Sequence, residues 1–169
     1  MNSDYIISQL KANQSVFREI FSTIPEDLIY WKSSPEKWNL LEIVCHLYDE
    51  EREDFRARLN HVLTDPSRPL PKIDPVDWVI SRKYADRNFN EEVINFLSER
   101  QSSVEWLLSL KNPAYDNAFI HSRFGPLSGK LFLSNWLAHD YLHIRQVLKI
   151  KYDYFKSVSN EKLDYAGQW

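Results

Sequence analysis

Four prolines within ten residues, Pro66, Pro69, Pro71 and Pro75, cut this chain in two. Their missing amide donors and fixed φ forbid a regular helix there. Helical periodicity resumes on either side. Ile6, Leu10, Phe17, Ile20 and Ile24, with Val16 and Phe21 beside them, recur at three-to-four spacing and stop at Pro25, which predicts a first amphipathic helix. After a turn-rich stretch from Ser33 to Lys37, the residues Leu40, Val44, Leu47, Phe55, Leu59 and Val62 predict a second, ending near Thr64. Beyond a crossover of about 25 residues, Asn90 is the expected N-cap of a third helix, with Glu91 and Glu92 favourable in its first turn. Val93, Phe96, Leu97, Val104, Leu107 and Leu108 line its inner face, and Pro113 lies just past its end. Residues 112–127 read as irregular or briefly extended. Ser128 then opens a fourth helix that carries Phe132, Trp136, Val147 and Ile150 to about Lys151. The expectation is an all-α four-helix bundle, one domain over residues 1–169, in which the long link lets helices 2 and 3 run parallel. The tail from Glu161 reads as coil packing through Tyr165 and Trp169.

Composition narrows the function. With 43% apolar residues and only three glycines, the chain is too apolar for disorder and too glycine-poor for sandwiches or phosphate-cradling loops. A net charge of −3 supplies no field for nucleic acid or anionic membranes, so neither is an expected partner. The first residues show no export leader, and a cytoplasmic location is expected. One cysteine, Cys45, makes neither an internal disulfide nor a paired-cysteine metal site, so any metal must be held by His, Asp or Glu. Dinucleotide, Walker, nucleophile-elbow and HExxH motifs are absent from the sequence, as are the paired E-x-x-H motifs of a di-iron bundle.

His139 and His143 stand one helical turn apart inside the apolar stripe of the fourth helix. At that spacing their Cβ atoms lie about 5–6 Å apart on one face, close enough to share one ion. The same pattern suits two core histidines hydrogen-bonded to neighbours. Either way two buried imidazoles need partners or cost about 1–3 kcal/mol each. A third ligand must come from another helix, and His46 is the best candidate, although it falls about 240° around from Leu40, on the shoulder of its stripe. A solvent-edge histidine fits that position equally. His121, in the irregular segment, is a reserve ligand or substrate contact, and otherwise a loop residue with local hydrogen bonds; His61 reads as a surface residue. Glu51 sits in the middle of the second helix's apolar stripe, so it is paired with a cation, protonated, in contact with the site, or at a solvent boundary. Asp49 and Glu50 are candidate orienters of an imidazole N–H, or simply a solvated face. Cys45 reads as packing.

The segments IPEDLIYWKSSPEKWNLLEIVCHLYDEE and GPLSGKLFLSNWLAHDYLHIRQV together resemble the DinB/YfiT-like superfamily of metal-dependent enzymes. The matching elements are Trp38, His46, Gly125, His139, His143 and Gln146. The resemblance implies a bundle in up-down-down-up order and a three-histidine centre at His46, His139 and His143. It also implies hydrolase or thiol-transferase chemistry with a small-molecule substrate, such as a low-molecular-weight thiol. A divalent ion, Zn²⁺ or Ni²⁺, would activate water or a thiol there, with His121, Glu51 or Gln146 as polar contacts. The alternative is a non-catalytic bundle that binds a small apolar molecule or dimerises through its aromatic surface. The nearly all-round apolar fourth helix suits either a homodimer interface or a central buried helix.

Overall fold

A computed structural model describes residues 2–167. Trp169 lies outside the described residues, and Tyr165, expected to pack, is fully exposed instead. Helix α1 (Ser3–Ser22) is capped by the Asn2 side chain, and a short α2 (Glu26–Tyr30) follows Pro25. The second long helix starts with α3 (Leu40–Glu50), where Asn39 and Glu42 form a reciprocal capping box. It passes through a π-helical turn (Glu51–Arg56) and continues as α4 (Ala57–Thr64). The crossover is not featureless: α5 (Trp78–Ser81) and a 3₁₀ turn (Tyr84–Asp86) press buried Trp78 and Tyr84 into the same core cluster as α3.

Helix α6 (Phe89–Ser109) begins two residues earlier than expected. Asn88, not Asn90, is its N-cap and accepts from the Glu91 amide at 3.1 Å. The physical reason is Phe89, which is buried against Phe21 and so must lie inside the helix. Residues that read as irregular hold a two-stranded hairpin, β1 (Ala118–His121) and β2 (Gly125–Ser128), with Ala118 opposite Ser128 and His121 opposite Gly125. Gly125 closes its three-residue loop at φ 71°, a left-handed conformation that glycine adopts without strain. Ser128 caps α7 (Gly129–Val158), which runs seven residues past the expected end because Tyr154 packs on Trp31 and bonds Asp27. No helix among the described residues is long and apolar enough to cross a membrane.

The contacts that join the helices define a mostly helical bundle. Along α1 and α6 the partners run in opposite senses: Leu10 meets Arg100, Gln14 meets Leu97 and Phe21 meets Phe89. Along the second helix and α6 they advance together, Glu51 to Arg100 and Arg56 to Ser103. Along the second helix and α7 they oppose again, His46 near His143 and Glu51 on Trp136. Apolar side chains form two clusters, one around Phe17, Leu41 and Phe96, the other around Leu10, Leu59 and Trp136. Buried polar groups come from the same helices.

Candidate metal centre

Helix α3 is buried nearly all round: Leu40 to Leu47, together with Asp49 and Glu50, are shielded from solvent. This resolves the shoulder position of His46. A helix packed on several faces has no single inward stripe, and the face that carries His46 meets α7. His46 Nε2 lies 3.2 Å from His139 Nε2, which lies 3.0 Å from His143 Nε2. The candidate ligand atoms of the three residues all fall within 4.8 Å of one another. Trp38 covers His46 at 4.8 Å between ring centroids, and Phe55 covers His139 at 4.9 Å, so aromatic surface shields both imidazoles.

The three rings cannot satisfy one another. A neutral imidazole nitrogen carries either one hydrogen or one lone pair in the ring plane, yet His139 Nε2 faces two such nitrogens. The Nδ1 atoms of His46 and His143 are buried and have no hydrogen-bond partner. Burial, with the repulsion of neighbouring rings, pulls the pKa of His46 down to about 3 and that of His139 to about 2. Burial also lowers His143 to about 4, against the opposing pull of Gln146 and Asp140. All three are therefore neutral at pH 7 and present lone pairs, as metal ligands must. Nitrogens at about 2.0–2.1 Å from one tetrahedral ion stand about 3.3 Å apart, close to the 3.2 and 3.0 Å that separate His139 Nε2 from the other two rings. The donor set fits a divalent ion.

Beside this cluster lies a second polar one. Arg100, 1% exposed, donates to Glu51 from Nε at 2.8 Å and from Nη2 at 2.9 Å. It also donates to Asp140 from Nη1 at 2.6 Å and Nη2 at 2.7 Å, and to the Leu10 carbonyl at 3.3 Å. Trp136 Nε1 completes Glu51, and the Asn13 amide completes Asp140. Burial opposes the Arg100 charge, but Asp140 and Glu51 outweigh it and raise its pKa. One guanidinium thus ties together α1, the π-helical turn, α6 and α7, and Asp140 is the residue next to His139.

Glu51 accordingly takes the cation-paired reading. Arg100 is not among the residues singled out by apolar spacing, although it lies one turn from both Phe96 and Val104, on the inner face of its helix. Asp49 and Glu50 do not make the expected hydrogen bonds to an imidazole. Asp49 accepts from Tyr84 at 2.8 Å and pairs with Arg52 and Arg82. Burial and the neighbouring Asp54 push Glu50 up to about 8. Both carboxylates sit on the heavily packed α3, where nearer partners claim them. His121 is not among the clustered ligands; its Nδ1 accepts from the amides of Arg123 and Phe124 and closes the hairpin loop. His61 bonds the Arg68 carbonyl, and buried Cys45 has its thiol pushed up to about 12 by desolvation, which leaves it inert packing.

Fold and site together define a helical bundle with a three-histidine cluster at the contact of α3 and α7. The sequence pattern of the DinB superfamily matches residues 9–147, and the chain belongs to that superfamily. Among solved structures it is similar to YfiT from Bacillus subtilis, described as a probable metal-dependent hydrolase with an unusual four-helix bundle topology. That likeness has a TM-score of 0.78 at 14% identity and covers 89% of this chain and 86% of that one. Among curated proteins none matches.

Proposed function

We propose that His46, His139 and His143 hold one divalent cation, zinc or nickel, and that the chain is a metal-dependent enzyme of hydrolase or thiol-transferase type acting on a small molecule. The observation that carries this reading is the convergence of three neutral imidazoles, brought together from two distant stretches of chain, whose facing nitrogens have no mutual solution. Such an ion would supply a Lewis acid that lowers the pKa of bound water or of a small thiol toward neutrality. The protein's own part is positional. Arg100 holds Asp140 and Glu51, and through them keeps α7 and the π-helical turn in register. Trp38 and Phe55 exclude water from two of the rings. The up-down-down-up helix order belongs to the same reading and is supported by the opposed and advancing residue pairs between helices. Similarity to YfiT supports the metal-dependent class.

Elemental analysis of tag-free protein tests the proposal. About one equivalent of divalent metal per chain is expected, lost in His139→Ala, together with turnover of an ester panel or a thiol–electrophile panel that chelation abolishes. Protein that takes up no metal even on reconstitution would overturn it and favour a non-catalytic binding bundle.

A further inference from the structure

A cleft of about 540 Å³ lies between the loop after α2 and the outer face of α7. None of the three histidines lines it, but two of its walls stand next to them. Trp38 lines the cleft and packs on His46, while Gln146 lines it one turn beyond His143 on α7. The rest of the lining divides by chemistry. Leu142 and Ile150 join Trp38 as apolar surface, and Lys37, Arg145 and Lys149 bring three cations against one carboxylate, Asp153. Lys149 is already paired with Asp153. Lys37 and Arg145 make no ion pair with a carboxylate among the described residues. In a chain of net charge −3, two cations without an ion pair converge on a cleft that adjoins the only described three-histidine cluster.

We infer that this cleft is the substrate pocket of the histidine centre and that it selects a small anion with an apolar body. Lys37 and Arg145 take the carboxylate or phosphoryl oxygens, and Trp38, Leu142 and Ile150 take the hydrocarbon. The volume falls in the range of small-molecule sites, and Arg145 offers the forked donor geometry that matches either anion. Trp38 and Gln146 place the other end of such a molecule beside His46 and His143. The inference rests on the proposed function for what happens to the bound molecule, but the charge selection stands on the cleft alone.

Calorimetric titration with 3-phenylpropionate, phenyl phosphate and the neutral 3-phenylpropionamide tests it, on both metal-free and metal-loaded protein. The anions are expected to bind at least tenfold more tightly than the amide in both forms. Arg145→Glu should remove that preference, while Lys11→Glu, the same charge change at an exposed site outside the cleft, should leave it within twofold. Equal binding of amide and anions, no binding of any probe at 10 mM, or equal loss in the two variants would overturn the inference. Metal held by the histidines without anion preference sinks this inference alone; anion preference in a protein that binds no metal sinks the proposed function alone. A preference for one anion over the other identifies which oxygen group the cleft takes.

Discussion

Two polar clusters are buried by the same helices in this bundle, and they are built to opposite rules. Around Arg100 the guanidinium's hydrogen-bonding edge is shared between two carboxylates and a carbonyl, and each carboxylate has a further donor in Trp136 or Asn13. Among His46, His139 and His143, two ring nitrogens lack partners and a third faces two competitors. A buried network that is fully satisfied holds helices together, whereas one left open carries a desolvation cost that only something added can relieve. The difference separates scaffold from site.

Acid should expose this contrast most strongly. The three histidines have folded pKa values of about 2 to 4, below the ordinary 6.5, so between those limits the unfolded chain binds more protons than the folded one. Their contribution to stability is complete above pH 6.5 and falls as pH drops toward the folded values, by up to about 1.4 kcal/mol per histidine per pH unit. Metal-free protein should therefore show a urea midpoint that declines steeply from pH 6.5 to 4.5. The variant carrying His46→Gln, His139→Gln and His143→Gln together should show a much flatter decline; equal slopes would break the comparison.

Next in size is the scaffold itself. Arg100→Met leaves Glu51 and Asp140 buried without their cation and should cost about 3–5 kcal/mol in urea unfolding at pH 7. His139→Ala in metal-free protein removes a nitrogen that has no consistent partner and should cost clearly less. If the two variants destabilise alike, the histidines are as structural as the arginine. Smaller still, Asn13→Ala removes one donor from Asp140 and should cost about 1.5 kcal/mol, with metal stoichiometry unchanged.

Which of these features could be read without coordinates depends on how far apart the participants lie in the chain. The long helices, the bundle and the pairing of His139 with His143 follow from periodicity, because residues one turn apart on a helix are neighbours by local geometry. Glu51 announced an unusual environment for the same reason, as a charge within an apolar stripe. Its partner did not: Arg100 lies 49 residues away, and no local rule connects two helices in register. The π-helical turn escaped because a uniform 100° per residue has no place for it. The two short helical turns of the crossover escaped because tertiary packing of Trp78 and Tyr84, more than propensity, sustains them. His46 reads as peripheral because a single apolar stripe is a poor guide to a helix that is buried on nearly all its faces.

Sequence alone determined the helical class, since apolar spacing at the helical period leaves few other ways to bury those side chains, and with one cysteine it excluded any paired-cysteine metal site. Tertiary structure alone decided that His46 meets the later pair, that Arg100 joins Glu51 to Asp140, and that Lys37 and Arg145 look onto one cleft. Each of those is a contact between residues far apart in the chain, created when the helices pack.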